Sequence, residues 1–217
     1  MERPTLIIGN RNYSSWSLRA WLALDAKGQE FDEVVIPLGQ SDTTEEILRW
    51  SPTGRVPALH DGEIRLWDSL AICEHLAETC PEAGLWPNDV RERAAARSVV
   101  AEMHSGFVAL RKHMPMNLRA TYPVADHQGG VEDDITRIES IWKDCRTRFG
   151  GEGDLLFGGF TIADAFYAPI VSRFSTYGIS PGGIAGEYMD AVWDLPAMQD
   201  WAEKARAEKW SVERYDR

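Results

Sequence analysis

Two neighbouring serines, Ser14 and Ser15, stand in "LIIGNRNYSSWSLRAWLAL", between an apolar run and a stretch with apolar residues at helical spacing. A serine oxygen at a helix start accepts from the unpaired N–H groups of the first turn, so an N-cap is the simplest use of either residue. The same hydroxyl can instead donate to an anion such as a thiolate, and the helix N-terminus adds the positive end of its dipole. A second pair, Asp68 and Ser69 in "WDSLAICEHL", opens another helical pattern, with Ser69 as its expected cap. Ser69 and the N–H groups after it suit a carboxylate, and Asp68 suits an ammonium, so together they match an α-amino acid head; the pair also simply begins a helix. In "GRVPAL", Pro57 follows β-branched Val56 at the start of an apparent strand, where proline removes a ladder donor. Arg55 beside it is placed either to reach a carboxylate or to remain in solvent.

The elements that must position these residues follow from changes of hydrophobic period. "TLIIG" and "EFDEVVIPL" are short β-rich runs, and the helical stretch between them closes on Gly28, giving a strand–helix–strand unit of the parallel crossover kind. A helix is expected in "TTEEILRW", two strands around the turn "HDG", then a helix in "SLAICEHLAET". "CPEAGLWPND" has the prolines and glycine of a linker. From Val90 onward the patterns are helical: "VRERAAARSVVAEMHSGFVALRKHM" as one stretch, then "VEDDITRIESIWKDCRTRF", "TIADAFYAPIVSRF" and "MQDWAEKARAE". The expected division is residues 1–80 as an α/β domain, 81–89 as linker and 90–217 as an all-helical domain.

Composition limits the function. The chain has 217 residues, 44% of them apolar, enough for a large core or two modest ones. Its net charge is −11, and acidic residues outnumber basic ones in both 1–80 and 81–217, which argues against a nucleic-acid partner. No stretch nears the roughly 18 apolar residues of a membrane span, and the first residues lack a signal-peptide pattern, so a soluble cytoplasmic protein is expected. Three cysteines (Cys73, Cys80, Cys145) without C-x-x-C spacing fit reduced thiols. The five histidines lack metal-site spacing, and "GEGDLLFGG" lacks the Lys-Ser/Thr ending of a phosphate loop. Thr161 and Asp164 fit a capping box, which gives Asp164 a structural task, and Pro169 should kink the helix they begin or end its regularity.

The ordered set "YSSWSLR", "GRVPAL", "WDSLAICEHL" and "GGFTIADAFYAP" resembles the cytosolic glutathione transferases, with a Ser-type active-site segment like that of the zeta and theta-like classes. "EMHSGFVALRKHMPMNLRA" resembles a bacterial branch of that family. The resemblance implies a thioredoxin-like domain that binds glutathione, a helical domain that shapes an electrophile pocket, a homodimer, and no metal. It places Ser14 at the glutathione thiol with Ser15 as its competitor, makes the Val56–Pro57 bond cis so that Val56 pairs with an extended cysteinyl segment, and assigns Arg55, Asp68 and Ser69 to glutathione. His104, Phe107, Arg111, Met114 and Met116 are the expected pocket residues, although Met and aromatic residues at helical spacing also suit a core. The implied activity is attack of the glutathione thiolate on a small, largely apolar electrophile. Two alternatives stand beside it: a glutathione-dependent cis–trans isomerase of a maleyl-type dicarboxylic acid, as in the zeta class, and a non-catalytic binding module on the same fold. Trp16 stands where the zeta class has a cysteine.

Overall fold

The computed structural model describes residues 3–26, 28, 30–122 and 129–216; Met1 and Arg217, the outer limits of the expected domains, lie outside the described residues. The first half runs β1 (Thr5–Gly9), α1 (Ser15–Ala26), β2 (Asp32–Ile36), α2 (Thr43–Leu48), β3 (Ala58–Asp61), β4 (Ile64–Trp67), α3 (Ser69–Thr79). Its sheet has the order β2-β1-β3-β4, with β2 parallel to β1 and the other pairs antiparallel. Strand β1 is interior to the sheet, and its apolar side chains from Leu6 to Ile8 alternate between two cores. Leu6 and Ile8 enter the large core under α1 and α3, whereas Ile7 meets Ile36, Ile47 and Ala58 on the other face. Each of these buried leucine and isoleucine side chains contributes about 1.5–3 kcal/mol.

The second half is helical: α4 (Val90–Ser105), α5 (Val108–His113), α6 (Val131–Phe149), α7 (Ile162–Thr176), α8 (Gly183–Trp193) and α9 (Pro196–Ala207). This is the α/β-then-helical class that the sequence predicts, and no helix among the described residues is long and apolar enough to cross a membrane. Helix α7 is buried almost throughout and packs against α1, so one core spans both halves. Its first turn is closed by the expected capping box: Ala163 N–H donates to Thr161 Oγ1, and Asp164 accepts from the Thr161 N–H at 2.8 Å.

Two local expectations are corrected. The stretch 90–114 is two helices, because Gly106 ends α4 and Phe107 is left-handed at φ 54°. A Cβ at Gly106 would stand 2.7 Å from the Glu102 carbonyl oxygen, so only glycine fits there. Pro169 lies inside α7, which runs on to Thr176, and the Pro169 carbonyl accepts from Ser172 Oγ at 2.9 Å and Arg173 Nη1 at 3.3 Å. Helix α8 has no counterpart in the sequence expectation, since Gly182, Gly183 and Gly186 interrupt its pattern; a Cβ at Gly186 would lie 2.5 Å from the Pro181 carbonyl oxygen.

Candidate functional site

Ser14 does cap α1. Its carbonyl accepts the Leu18 N–H at 3.1 Å and its Oγ accepts the Ser17 N–H at 3.4 Å. Capping is only part of its hydrogen bonding. Ser17 Oγ accepts the Gly9 N–H at 3.1 Å and lies 2.7 Å from Ser14 Oγ. Either hydroxyl can be the donor of that pair; when Ser17 donates, Ser14 keeps its own O–H for a group in the cavity it lines. Ser15 Oγ accepts from Arg173 Nη2 at 3.2 Å, which leaves its O–H to donate.

Arg173 belongs to a cluster of cations that the sequence reading did not anticipate. It is 3% exposed, and it also donates from Nε to the Met114 carbonyl at 2.8 Å. Arg19 is fully buried, its guanidinium 4.3 Å from the Trp16 ring centroid and 4.7 Å from that of Phe166. None of its three side-chain nitrogens has a hydrogen-bond partner. Burial pulls the Arg19 pKa down to about 9 and that of Arg173 to about 10, and repulsion among Arg19, Arg173 and Arg111 adds to the fall. Both stay charged at neutral pH. An anion entering here relieves that repulsion, so the site favours negative charge.

Two cavities meet at Trp16, Arg55 and Val56. The larger, about 540 Å³, is lined by Ser14, Ser15, Arg111, Met116 and Arg173, with Arg214 and Tyr215 from beyond α9. The smaller, about 450 Å³, is lined by Thr53, Pro57, Trp67, Asp68 and Ser69. The Val56–Pro57 bond is cis, as the resemblance implies.

At the smaller cavity the cap is Asp68 rather than Ser69. Asp68 Oδ1 accepts the Leu70 N–H at 2.8 Å and the Ala71 N–H at 3.4 Å, with Asp68 itself at φ 74°. Ser69 is therefore the first helical residue, and its buried Oγ has no hydrogen-bond partner. The second carboxylate oxygen, Oδ2, lies 3.3 Å from His104 Nε2 on α4. Burial lowers the His104 pKa from 6.5, Arg19 and Arg111 act the same way, and Asp68 opposes them.

The expected pocket residues are dispersed. Arg111 and Met116 line the larger cavity, and the Arg111 guanidinium also closes the end of α4 by donating to the carbonyls of His104 and Gly106. His104, Phe107 and Met114 line neither cavity: His104 stands between Asp68 and the edge of Trp16, while Phe107 and Met114 are core residues at 6% and 2% exposure. The signal for Arg173 was a charge inside an otherwise apolar helical run. Arg214 and Tyr215 carried no periodic signal. Among the described residues no group of three or more His, Cys, Asp or Glu side chains could hold a metal ion, and the three cysteines are buried and unbridged.

Comparison with known proteins agrees with this geometry. Residues 13–79 match the glutathione S-transferase N-terminal domain and residues 93–204 the glutathione S-transferase C-terminal domain. A zeta-class glutathione S-transferase of Euphorbia esula is 38% identical over 184 residues, covering 80% of each chain. A probable maleylacetoacetate isomerase of Caenorhabditis elegans is 26% identical over 208 residues, covering 90% of this chain and 91% of that one. A solved structure of a glutathione transferase homologue from Burkholderia gl BGR1, with bound glutathione, shares the fold at TM-score 0.71 and 24% identity, covering 95% of this chain and 100% of that chain. A helix-capping serine in the wall of a cavity, a cis-proline turn and two domain matches in order have one common explanation: the chain belongs to the glutathione S-transferase family.

Proposed function

We propose that the protein activates the thiol of glutathione and directs it at a small electrophile. The γ-glutamyl head sits in the smaller cavity, its carboxylate at Ser69 and the start of α3, its ammonium at Asp68. The cysteinyl backbone pairs with Val56, Arg55 reaches the remaining carboxylate, and the thiol faces Ser14. The electrophile occupies the larger cavity. The observation that carries this reading is the Ser14 hydroxyl at the first turn of α1, in the wall of the larger cavity with Arg111 and Arg173. A free thiol has a pKa near 8.5, so lowering it by roughly two units needs about 2.7 kcal/mol. A hydrogen bond to a charged group supplies about 1.5–3 kcal/mol. One hydroxyl with a helix end therefore suffices, and the buried arginines add to it.

A titration of the bound thiol tests the reading. Mixing protein with glutathione at pH 7 should raise thiolate absorbance in the ultraviolet; saturable binding with an unshifted thiol pKa would leave only the binding module.

Isomerisation of a dicarboxylic acid is the second reading, favoured by Arg111, Arg173 and Arg214 in the wall of the larger cavity and by the isomerase relative. The thiolate would add to a carbon–carbon double bond, the resulting single bond would rotate, and the same thiolate would leave. Turnover of a maleyl acid against an aryl halide, epoxide and peroxide separates the two.

The partner of the face formed by Leu66, Trp67, Leu70 and Ala71 is proposed to be a second copy of the chain, since Trp67 is 46% exposed there. Sedimentation of the free protein tests it. A cytoplasmic site of action, and a division of the chain within residues 81–89, belong to the same proposal.

A further inference from the structure

The segment after α9 returns to the loop that presents Ser14 and is fastened to it repeatedly. The Glu208 carboxylate accepts the backbone N–H groups of Arg11 at 2.7 Å and Asn12 at 3.2 Å. At the far end, the Asp216 carboxylate accepts the Tyr13 hydroxyl at 2.7 Å and the Asn117 side-chain amide at 2.9 Å. Arg119 joins both ends, donating to the carbonyls of Glu208 at 2.7 Å and Trp210 at 2.8 Å and to the Tyr13 hydroxyl at 2.9 Å. Val212 packs on the β2–α2 connection, where a Cβ added to Gly39 would stand 3.3 Å from its methyls.

Little apolar burial supports this segment. Val212 is its only buried apolar side chain, at 5%, and Trp210 is 39% exposed. Polar bonds that water can replace hold the rest, which places the segment among those that open locally before the core does. Yet Arg214 and Tyr215 wall the larger cavity, and Tyr13, whose hydroxyl is latched, immediately precedes Ser14.

We propose that residues 208–216 form a strap that selects the second substrate by width. Tyr215 and Arg214 bound the electrophile space, and the Tyr13–Asp216 hydrogen bond holds that wall in place. The inference rests on the transferase reading, because it needs glutathione in the smaller cavity and the electrophile in the larger. Tyr13 and Asp216 are positioning residues; neither is required to touch glutathione.

Binding of S-substituted glutathiones tests the strap without turnover. Calorimetry would compare glutathione, S-benzylglutathione and a broader S-(naphthylmethyl)glutathione on the full chain and on Asp216→Ala, Asp216→Glu, Tyr13→Phe and Tyr215→Ala. The expected result is that Asp216→Ala, Tyr13→Phe and Tyr215→Ala improve the naphthylmethyl-to-benzyl affinity ratio by about fivefold or more, with glutathione affinity within about twofold and Asp216→Glu restoring the wild-type ratio. Tyr13→Phe keeps the ring and decides the matter should Asp216→Ala fail to fold. A ratio unchanged within about twofold in these variants overturns the strap alone. A native protein that binds no glutathione overturns the transferase reading and the strap with it.

Discussion

Ser17 Oγ stands 2.7 Å from Ser14 Oγ while accepting the Gly9 N–H, so the Ser14 hydroxyl is tied through Ser17 to the end of β1. Removing the tie and removing the donor should therefore differ in degree and agree in kind. Ser14→Ala should lower turnover by about 10- to 100-fold with glutathione affinity little changed, because a hydrogen bond to charge is lost where the thiolate forms. Ser17→Ala should give a smaller fall and raise the pKa of the bound thiol. Steady-state kinetics with a thiolate titration checks both, and an unaltered thiol pKa in Ser14→Ala would move the donor's role to Ser15.

Arg173 connects Ser15 to the carbonyls of Met114 and Pro169. Arg173→Lys keeps the charge and loses the fork, so it should retain much of the thiolate signal yet melt earlier. Arg173→Met should lose both, since it removes the cation and takes the donor from the buried Met114 carbonyl, at about 1–3 kcal/mol. Thermal denaturation beside ultraviolet titration separates the two effects. Equal thiol pKa values in Arg173→Met and the native protein would make this arginine purely structural.

The pair His104 and Asp68 gives glutathione binding an acid limb. Burial depresses the His104 pKa below 6.5, so at pH 7 the ring is neutral and does not compete with the ammonium that the proposed function assigns to Asp68. A depressed histidine contributes stability above its unfolded pKa and loses it as pH falls through the folded value. Below pH 6.5 the native fold should therefore weaken, and a protonated ring competes with the ligand's ammonium for Asp68. Calorimetry from pH 7.5 to about 5 should show glutathione affinity falling, whereas His104→Gln should flatten the curve. The same slope in His104→Gln would exclude the ring as its source.

Asp164 receives the N–H groups of Leu156 and Thr161 and the Thr161 hydroxyl. Thr161→Ala should cost about 0.5–2 kcal/mol of stability, as loss of a cap does. Asp164→Ala should cost more, about 3 kcal/mol or above, because several buried donors lose their acceptor together. Chemical denaturation measures the difference. Activity per folded molecule should stay unchanged, and its selective loss would show that the capping box reaches the chemistry.

The elements were legible wherever local pattern and tertiary environment agree. The apolar run from Leu6 to Ile8 in β1 and the period change after Gly9 announced the first crossover, and Ser14, Asp68 and Thr161 announced helix starts, although the cap at α3 lies one residue earlier than expected. The break at Gly106 was hidden because a single glycine is tolerated within a helix; what secures it is the Arg111 guanidinium returning to the carbonyls of His104 and Gly106. The cation cluster was hidden for a related reason. Arg19 and Arg173 look like interruptions of apolar faces until Trp16, Phe166 and Ser15 are seen against them. Tyr215 and Asp216 are held by partners distant in sequence, and no periodicity records such contacts.

The large core passes without interruption from Leu6 and Ile8, through Leu18 and Trp21 on α1, to Phe166 and Ile170 on α7. Helix α1 is thus walled on one side by its own sheet and on the other by the second half of the chain. Swapping halves between relatives would cut through that packed surface and uncover Arg19, which has no hydrogen-bonding partner of its own. Chimeras of this chain should therefore stand or fall on whether the donor's counterpart of α7 brings an aromatic ring to the place of Phe166, however well the connection at 81–89 is joined.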